Sequence, residues 1–288
     1  MMPLLPNATA MLPLREGNHL PWTPMRGGSF LSCARVPYRI RRDSMSVPDI
    51  VRHLFENFGA RYLLNRTDEI SNNVMGKRGM LYRAFLYAQI NHVSGDYFEF
   101  GVYRGQSFLM AHRMKRRFRM DQMKLWAFDS FAGLPEIDDA YDSTWSRGEY
   151  ACSLDEFRRI LARGGVRTNE YEVVAGYYDR SLNEDLHGKL AGHRASVVYV
   201  DCDLYSSTVA VLNFVKRYLD NGTIVCFDDF YHYRANPHQG EQRALSEFLH
   251  HNTMFTFIPW TDYSPVGKSF IVRVQVNEHA SSDHLEAD

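Results

Sequence analysis

From residue 96 onward, short apolar runs rich in β-forming residues alternate with longer stretches of helical periodicity. Period-2 or continuous apolar patterning predicts strands over 97–102, 124–129, 171–175, 196–201, 223–228, 255–259 and 269–276. Apolar residues recurring every three or four positions predict helices over 107–117, 153–163, 207–219 and 241–252. Strands that alternate with helices imply an α/β fold: a doubly wound, Rossmann-like, mostly parallel sheet with helices on both faces. The last two strands follow each other with no helix between them, which predicts an antiparallel hairpin at the sheet edge.

Upstream of this region the grain differs. Residues 46–93 read as helical: Pro48 stands near a helix start, and Ile50, Val51, Leu54, Phe55 and Phe58 form one apolar stripe, with Leu81, Phe85, Leu86 and Ile90 forming another. Residues 1–45 are rich in Pro, Gly and Met and end in the basic cluster Arg35, Arg39, Arg41 and Arg42; they read as a poorly ordered extension or a lid. The main domain is expected over 94–277, with a tail over 278–288. Pro3, Pro6 and Pro13 interrupt the apolar N-terminal residues, and no basic segment precedes them, which argues against a signal peptide.

Composition narrows the classes further. The 288 residues carry a formal net charge of -1, so no basic field points to nucleic acid. No stretch has the length of an apolar membrane span. The four cysteines, Cys33, Cys152, Cys202 and Cys226, are scattered without zinc-site spacing; Cys202 and Cys226 lie in strand-like runs and suit reduced core thiols, hence a cytoplasmic setting.

In doubly wound folds ligands bind beyond the carboxyl ends of the strands. The first strand ends in E-x-G-x-x-x-G, carried by Glu99, Gly101 and Gly105 and followed by Ser107. The glycines permit a tight turn and close ligand approach. A carboxylate beside that turn suits a cationic ligand, such as the ammonium or sulfonium of S-adenosylmethionine, better than a pyrophosphate. The second strand ends at Asp129, followed by Ser130; Asp129 lies 30 residues beyond Glu99 and is positioned to accept ribose hydroxyls. After the third strand, Gly176 and Tyr177 are candidates to border an adenine ring.

The fourth and fifth strands end in carboxylates: Asp201 and Asp203, then Asp228 and Asp229. Like charges gathered this closely repel one another, and a divalent cation such as Mg²⁺ relieves that cost. Asp201, Asp228 and Asp229 are therefore candidate metal ligands, with Asp201 a candidate general base. Asp203 reads as a cap of the following helix. His232, just beyond the paired aspartates, is a candidate to contact the acceptor or share the proton transfer. Gly267, Lys268 and Ser269 resemble the end of a P-loop, but Asp262 stands where its first glycine belongs and a strand follows.

Four blocks in order carry a family resemblance: F-E-F-G-V-Y-R-G over 98–105, F-D-S-F-A-G-L-P over 128–135, D-C-D-L-Y-S-S-T over 201–208, and D-D-F over 228–230. Together with G-E-Q-R-A over 240–244, they resemble the macrocin O-methyltransferase family, over about residues 80–275. The resemblance implies a class I methyltransferase fold, S-adenosylmethionine as donor, Mg²⁺ on Asp201, Asp228 and Asp229, and Asp201 as the base. It implies donor contacts at Glu99, Gly101, Gly105 and Asp129, a small-molecule hydroxyl acceptor with a sugar diol favoured, and homo-oligomers as a common state. A catechol or phenol acceptor, or a non-catalytic binding subunit on the same fold, are the alternatives. Phe100, Tyr103 and Gln106 depart from the family pattern of Cys, Trp and Gly, and the segment 231–239 is longer than expected and predicted to border the acceptor.

Overall fold

The computed structural model describes residues 76–137 and 145–275. The expected extension over 1–45, the first helical stripe over 50–58 and the tail over 278–288 lie outside these residues. A seven-stranded sheet has the order β3-β2-β1-β4-β5-β7-β6. Its strands are β1 (Asp96–Phe100), β2 (Leu125–Asp129), β3 (Glu172–Ala175), β4 (Ala195–Val200), β5 (Ile224–Phe227), β6 (Phe255–Tyr263) and β7 (Gly267–Val274). β1 to β5 pair in parallel, and β7 enters antiparallel to both β5 and β6. The strand order reverses between β1 and β4, which makes their C-terminal ends the switch point.

Strand alternation sorts the core into two layers. Phe98 and Phe100 of β1, with Val198 and Val200 of β4, face helices α5 (Glu184–Lys189), α6 (Tyr205–Val215) and α7 (Gly240–His251). Tyr97 of β1, with Val197 and Tyr199 of β4, faces helices α1 (Lys77–Ile90), α2 (Gln106–Arg117) and α3 (Leu154–Arg163). A short helix, α4 (Tyr178–Ser181), follows β3. Each fully buried Phe, Leu or Val contributes about 1.5–3 kcal/mol of transfer free energy, which is what drives the central strands to be apolar on both faces.

Three details depart from the sequence reading. Ile90 is 65% exposed, because α1 ends there; the buried stripe is Met80, Leu81, Ala84, Phe85 and Ala88. β6 runs through Pro259 to Tyr263, with a register irregularity between Pro259 and Thr261. A proline is tolerated because β6 is the edge strand and has a neighbour on one side only. The helix predicted over 207–219 ends at Val215, although Tyr218 and Leu219 stay buried beyond it. Cys152, Cys202 and Cys226 are buried free thiols, while Cys33 lies outside the described residues. Among the described residues no helix is long and apolar enough to cross a membrane.

The β1 and β4 ends approach so closely that only glycine fits at 101. Gly101 has φ of 86°, and a Cβ there would lie 1.8 Å from the carbonyl oxygen of Asp201. The Asp201 amide donates to the Phe100 carbonyl at 2.8 Å, which locks this approach. Gly101→Ala is expected to cost about 3 kcal/mol or more of stability, or to prevent folding. Urea unfolding checks this, and a wild-type midpoint would contradict it.

Candidate functional site

A cavity of about 760 Å³ opens over the C-terminal ends of the strands. Gly101, Asp129, Ser130, Gly176, Tyr177, Asp201, Asp228, Asp229 and His232 all line it. Residues that follow five different strands thus meet at the switch point, because parallel strands deliver their loops to the same edge of the sheet.

On one side, Asp129 organises the backbone. Its Oδ2 accepts from the amides of Val102 at 2.8 Å and Tyr103 at 3.0 Å, and its Oδ1 accepts from Phe131 at 2.7 Å. The carboxylate thereby ties the loop after β1 to the end of β2. Burial raises its pKa, and these three amide donors oppose that shift. An ionised carboxylate has about four acceptor sites, so it retains capacity for a ligand hydroxyl.

On the other side, ligand atoms of Asp201, Asp228 and Asp229 lie within 4.8 Å of one another. Tyr199 donates to Asp228 Oδ1 at 2.7 Å, and the Asp229 amide donates to Glu241 Oε2 at 3.0 Å. His232 Nε2 lies 3.1 Å from Asp229 Oδ1. Among the described residues, Asp229 Oδ2 is buried without a hydrogen-bond partner. Burial raises Asp201 well above the usual carboxylate range, with the Asp228 charge adding to it and Lys77 opposing it. Asp228 is raised by burial too, again against Lys77. Converging hard oxygens and a buried, unsatisfied carboxylate oxygen form a donor set that fits Mg²⁺.

Asp203 does not cap the following helix. The N-cap of α6 is Leu204, without a side-chain cap. Asp203 adopts φ of 61°, which turns its carboxyl toward Asp229 and the cavity; burial and Asp229 push it up to about 7.

Three residues expected at the donor site stand apart from the cavity. Strand alternation points Glu99 to the α2 face, where it is fully buried. Its Oε2 accepts from Tyr97 Oη and its Oε1 from Ser107 Oγ, both at 2.5 Å. Ser107 is thus spent on Glu99, and Gly105 caps α2 beneath the Phe157 ring. Glu99 braces the glycine turn from below and leaves no oxygen turned to the cavity.

The sequence reading missed Lys77, whose Nζ lies 3.0 Å from Asp201 Oδ2 and 2.6 Å from Asp228 Oδ2. Burial works against its charge, but the two carboxylates outweigh burial and hold its pKa above the ordinary lysine value. It also missed an aromatic wall. Trp145 lies 5.7 Å from both the His232 ring and Tyr150, Tyr150 meets Tyr103, and Trp145 Nε1 donates to Tyr233 Oη at 3.2 Å. The only available signals were a lysine within a helical stretch and two aromatics in a polar stretch.

Glu99 gives a pH prediction. Burial raises it from 4.5 to about 7, against the two hydroxyl donors. A carboxyl raised on folding contributes stability that is fully present below about 4.5 and is lost as pH rises through about 7. Between pH 5 and 8, Glu99→Gln should therefore gain on the wild type by on the order of 2 kcal/mol. Denaturant unfolding at the two pH values reads this, and a pH-independent difference would contradict it.

Comparison with known proteins agrees with this architecture. The family model described as Macrocin-O-methyltransferase (TylF) matches residues 62–266. The 8-demethyl-8-(2,3-dimethoxy-alpha-L-rhamnosyl)-tetracenomycin-C 4'-O-methyltransferase of Streptomyces olivaceus is 30% identical over 145 residues, 48% of this chain and 54% of that protein. The mycinamicin III 3''-O-methyltransferase of Micromonospora griseorubida is 26% identical over 147 residues, 48% of this chain and 56% of that protein. The chain thus spans about half the length of these relatives. Among solved structures, the O-methyltransferase NovP aligns with a TM-score of 0.58 at 21% identity, covering 69% of this chain and 79% of that one. The calicheamicin methyltransferase CalS11 aligns with a TM-score of 0.54 at 22% identity, covering 79% and 87%. These likenesses establish the shared fold. With the family model matched across most of its length, the chain belongs to the macrocin O-methyltransferase family.

Proposed function

We propose that this protein is a metal-assisted O-methyltransferase that moves a methyl group from S-adenosylmethionine to a sugar hydroxyl of a natural product. The observation that carries the reading is the convergence of Asp201, Asp228 and Asp229 at the floor of a cavity whose other half is organised by Asp129. Family membership supports the reaction class, and the two relatives above bear names that specify O-methylation, one of a rhamnosyl-bearing tetracenomycin. Three buried free thiols suit a reducing, cytoplasmic setting.

In this reading the donor half consists of Asp129, with spare acceptor capacity for ribose hydroxyls, and the backbone at Gly101, Ser130 and Gly176, with Tyr177 bordering the adenine. The donor supplies an electrophilic methyl bound to a sulfonium. The acceptor half is the carboxylate cluster and the aromatic wall. Asp201, Asp228 and Asp229 would hold a divalent cation, whose charge would make a nearby acceptor hydroxyl easier to deprotonate. Asp201 receives the hydroxyl proton, and His232, fixed by Asp229, orients the acceptor. Trp145 and Tyr150 offer apolar faces to a ring and keep water from the reacting oxygen. Much of the rate then comes from alignment of the two substrates.

Two experiments test this. Asp228→Ala combined with Asp229→Ala should abolish methyl transfer while leaving S-adenosylhomocysteine affinity near wild type; full activity in that variant, or in excess chelator, would sink the metal assignment. Trp145→Ala should raise the acceptor KM about tenfold, the scale of one lost aromatic contact, with little change in donor affinity. Initial-rate kinetics with a panel of sugars and catechols reads this. Turnover confined to catechols would overturn the sugar assignment.

A further inference from the structure

Lys77 stands in an unfavourable place for a lysine. It is the first residue of α1, and that first turn contains no acidic residue. A helix N-terminus carries partial positive charge and repels an ammonium. The N-cap, Gly76, offers no side-chain hydrogen bond. Nothing within α1 therefore draws the Lys77 charge to this point. What draws it is 124 residues away in sequence: Asp201 Oδ2 at 3.0 Å, and Asp228 Oδ2 at 2.6 Å.

These are two of the three carboxylates assigned above to a divalent cation. Asp228 Oδ1 already accepts from Tyr199, so Oδ2 is the oxygen that remains, and Lys77 holds it. Among the described residues, Lys77 and His232 are the basic side chains paired with this cluster, and Lys77 is the one that carries a permanent charge there. An ammonium and a divalent cation sharing the same carboxylate oxygens repel one another, so the two compete. Lys77 is also able to leave. Its side chain is 42% exposed, and a lysine stem is flexible enough to carry the charge out to water.

We propose that Lys77 is a resident counter-ion of the carboxylate cluster that competes with the divalent cation for Asp201 and Asp228 and is displaced when the cation binds. The inference rests on the metal reading above. It makes α1 a participant in the site, acting through the carboxylates rather than on the substrate. The exchange holds the cluster together without metal and sets the cation concentration at which the site fills.

The test is Mn²⁺ binding to the full chain, read by electron paramagnetic resonance of free Mn²⁺, with thermal unfolding in parallel. Lys77→Met should bind Mn²⁺ about tenfold more tightly than wild type, unfold at lower temperature without metal, and show a larger Mn²⁺-dependent rise in midpoint. Lys77→Arg, which keeps the charge, should return affinity toward wild type. If Lys77→Met does not fold, Lys77→Gln serves the same comparison. Equal or weaker Mn²⁺ binding in the neutral variants would overturn the proposal and make Lys77 a support of the bound metal. Absence of Mn²⁺ binding in wild type and variants alike would instead remove the metal reading itself, and the inference with it.

Discussion

Carboxylates whose ligand atoms gather within 4.8 Å of one another, in a partly buried site, need opposite charge. That constraint organises the chemistry of this fold. Asp201 comes from the end of β4, and Asp228 and Asp229 from the end of β5, so parallel pairing of those strands brings the three together. Tyr199 and His232 each satisfy one oxygen of the cluster, Lys77 bridges Asp201 and Asp228, and among the described residues Asp229 Oδ2 is left without a hydrogen-bond partner. In the reading proposed above, a cation from outside the protein would relieve what these partners leave uncompensated.

The same sheet keeps two acidic groups apart in role. Asp129 ends β2 and reaches the cavity, whereas Glu99 sits two residues before Gly101 and points into the α2 face. Both are raised by burial. Asp129 spends three acceptor sites on backbone amides and so shapes the loop that a donor would contact, while Glu99 spends both oxygens on hydroxyls beneath that loop. The close contact of Gly101 with the Asp201 carbonyl then couples the two halves of the cavity, because the β1 turn and the β4 carboxylate share one backbone interface.

Much of this was legible in the sequence, for a physical reason. Strand-end residues are spaced by whole strand-helix units, so Gly101, Asp129, Gly176, Asp201 and Asp228 announce themselves by position. What was hidden depends on the third dimension. Period-2 alternation, applied from Tyr97, would have turned Glu99 away from the cleft; motif likeness outweighed it. Asp203 looked like a helix cap because its left-handed conformation has no sequence signature in a non-glycine residue. β6 outran Pro259 because edge position is a property of strand order. Lys77 precedes the first strand and Trp145 lies between β2 and α3 rather than at a strand end, so both reach the site only through tertiary packing.

The central claim is that this cavity binds a sulfonium methyl donor beside a divalent cation. Isothermal titration of the purified protein with S-adenosylhomocysteine, with and without Mg²⁺, addresses it most directly. The account predicts saturable binding at one site per chain in both conditions, since the donor half is built from Asp129 and backbone rather than from the metal cluster. No binding in either condition would contradict it, and would leave the strand-end carboxylates as a metal site serving some other chemistry.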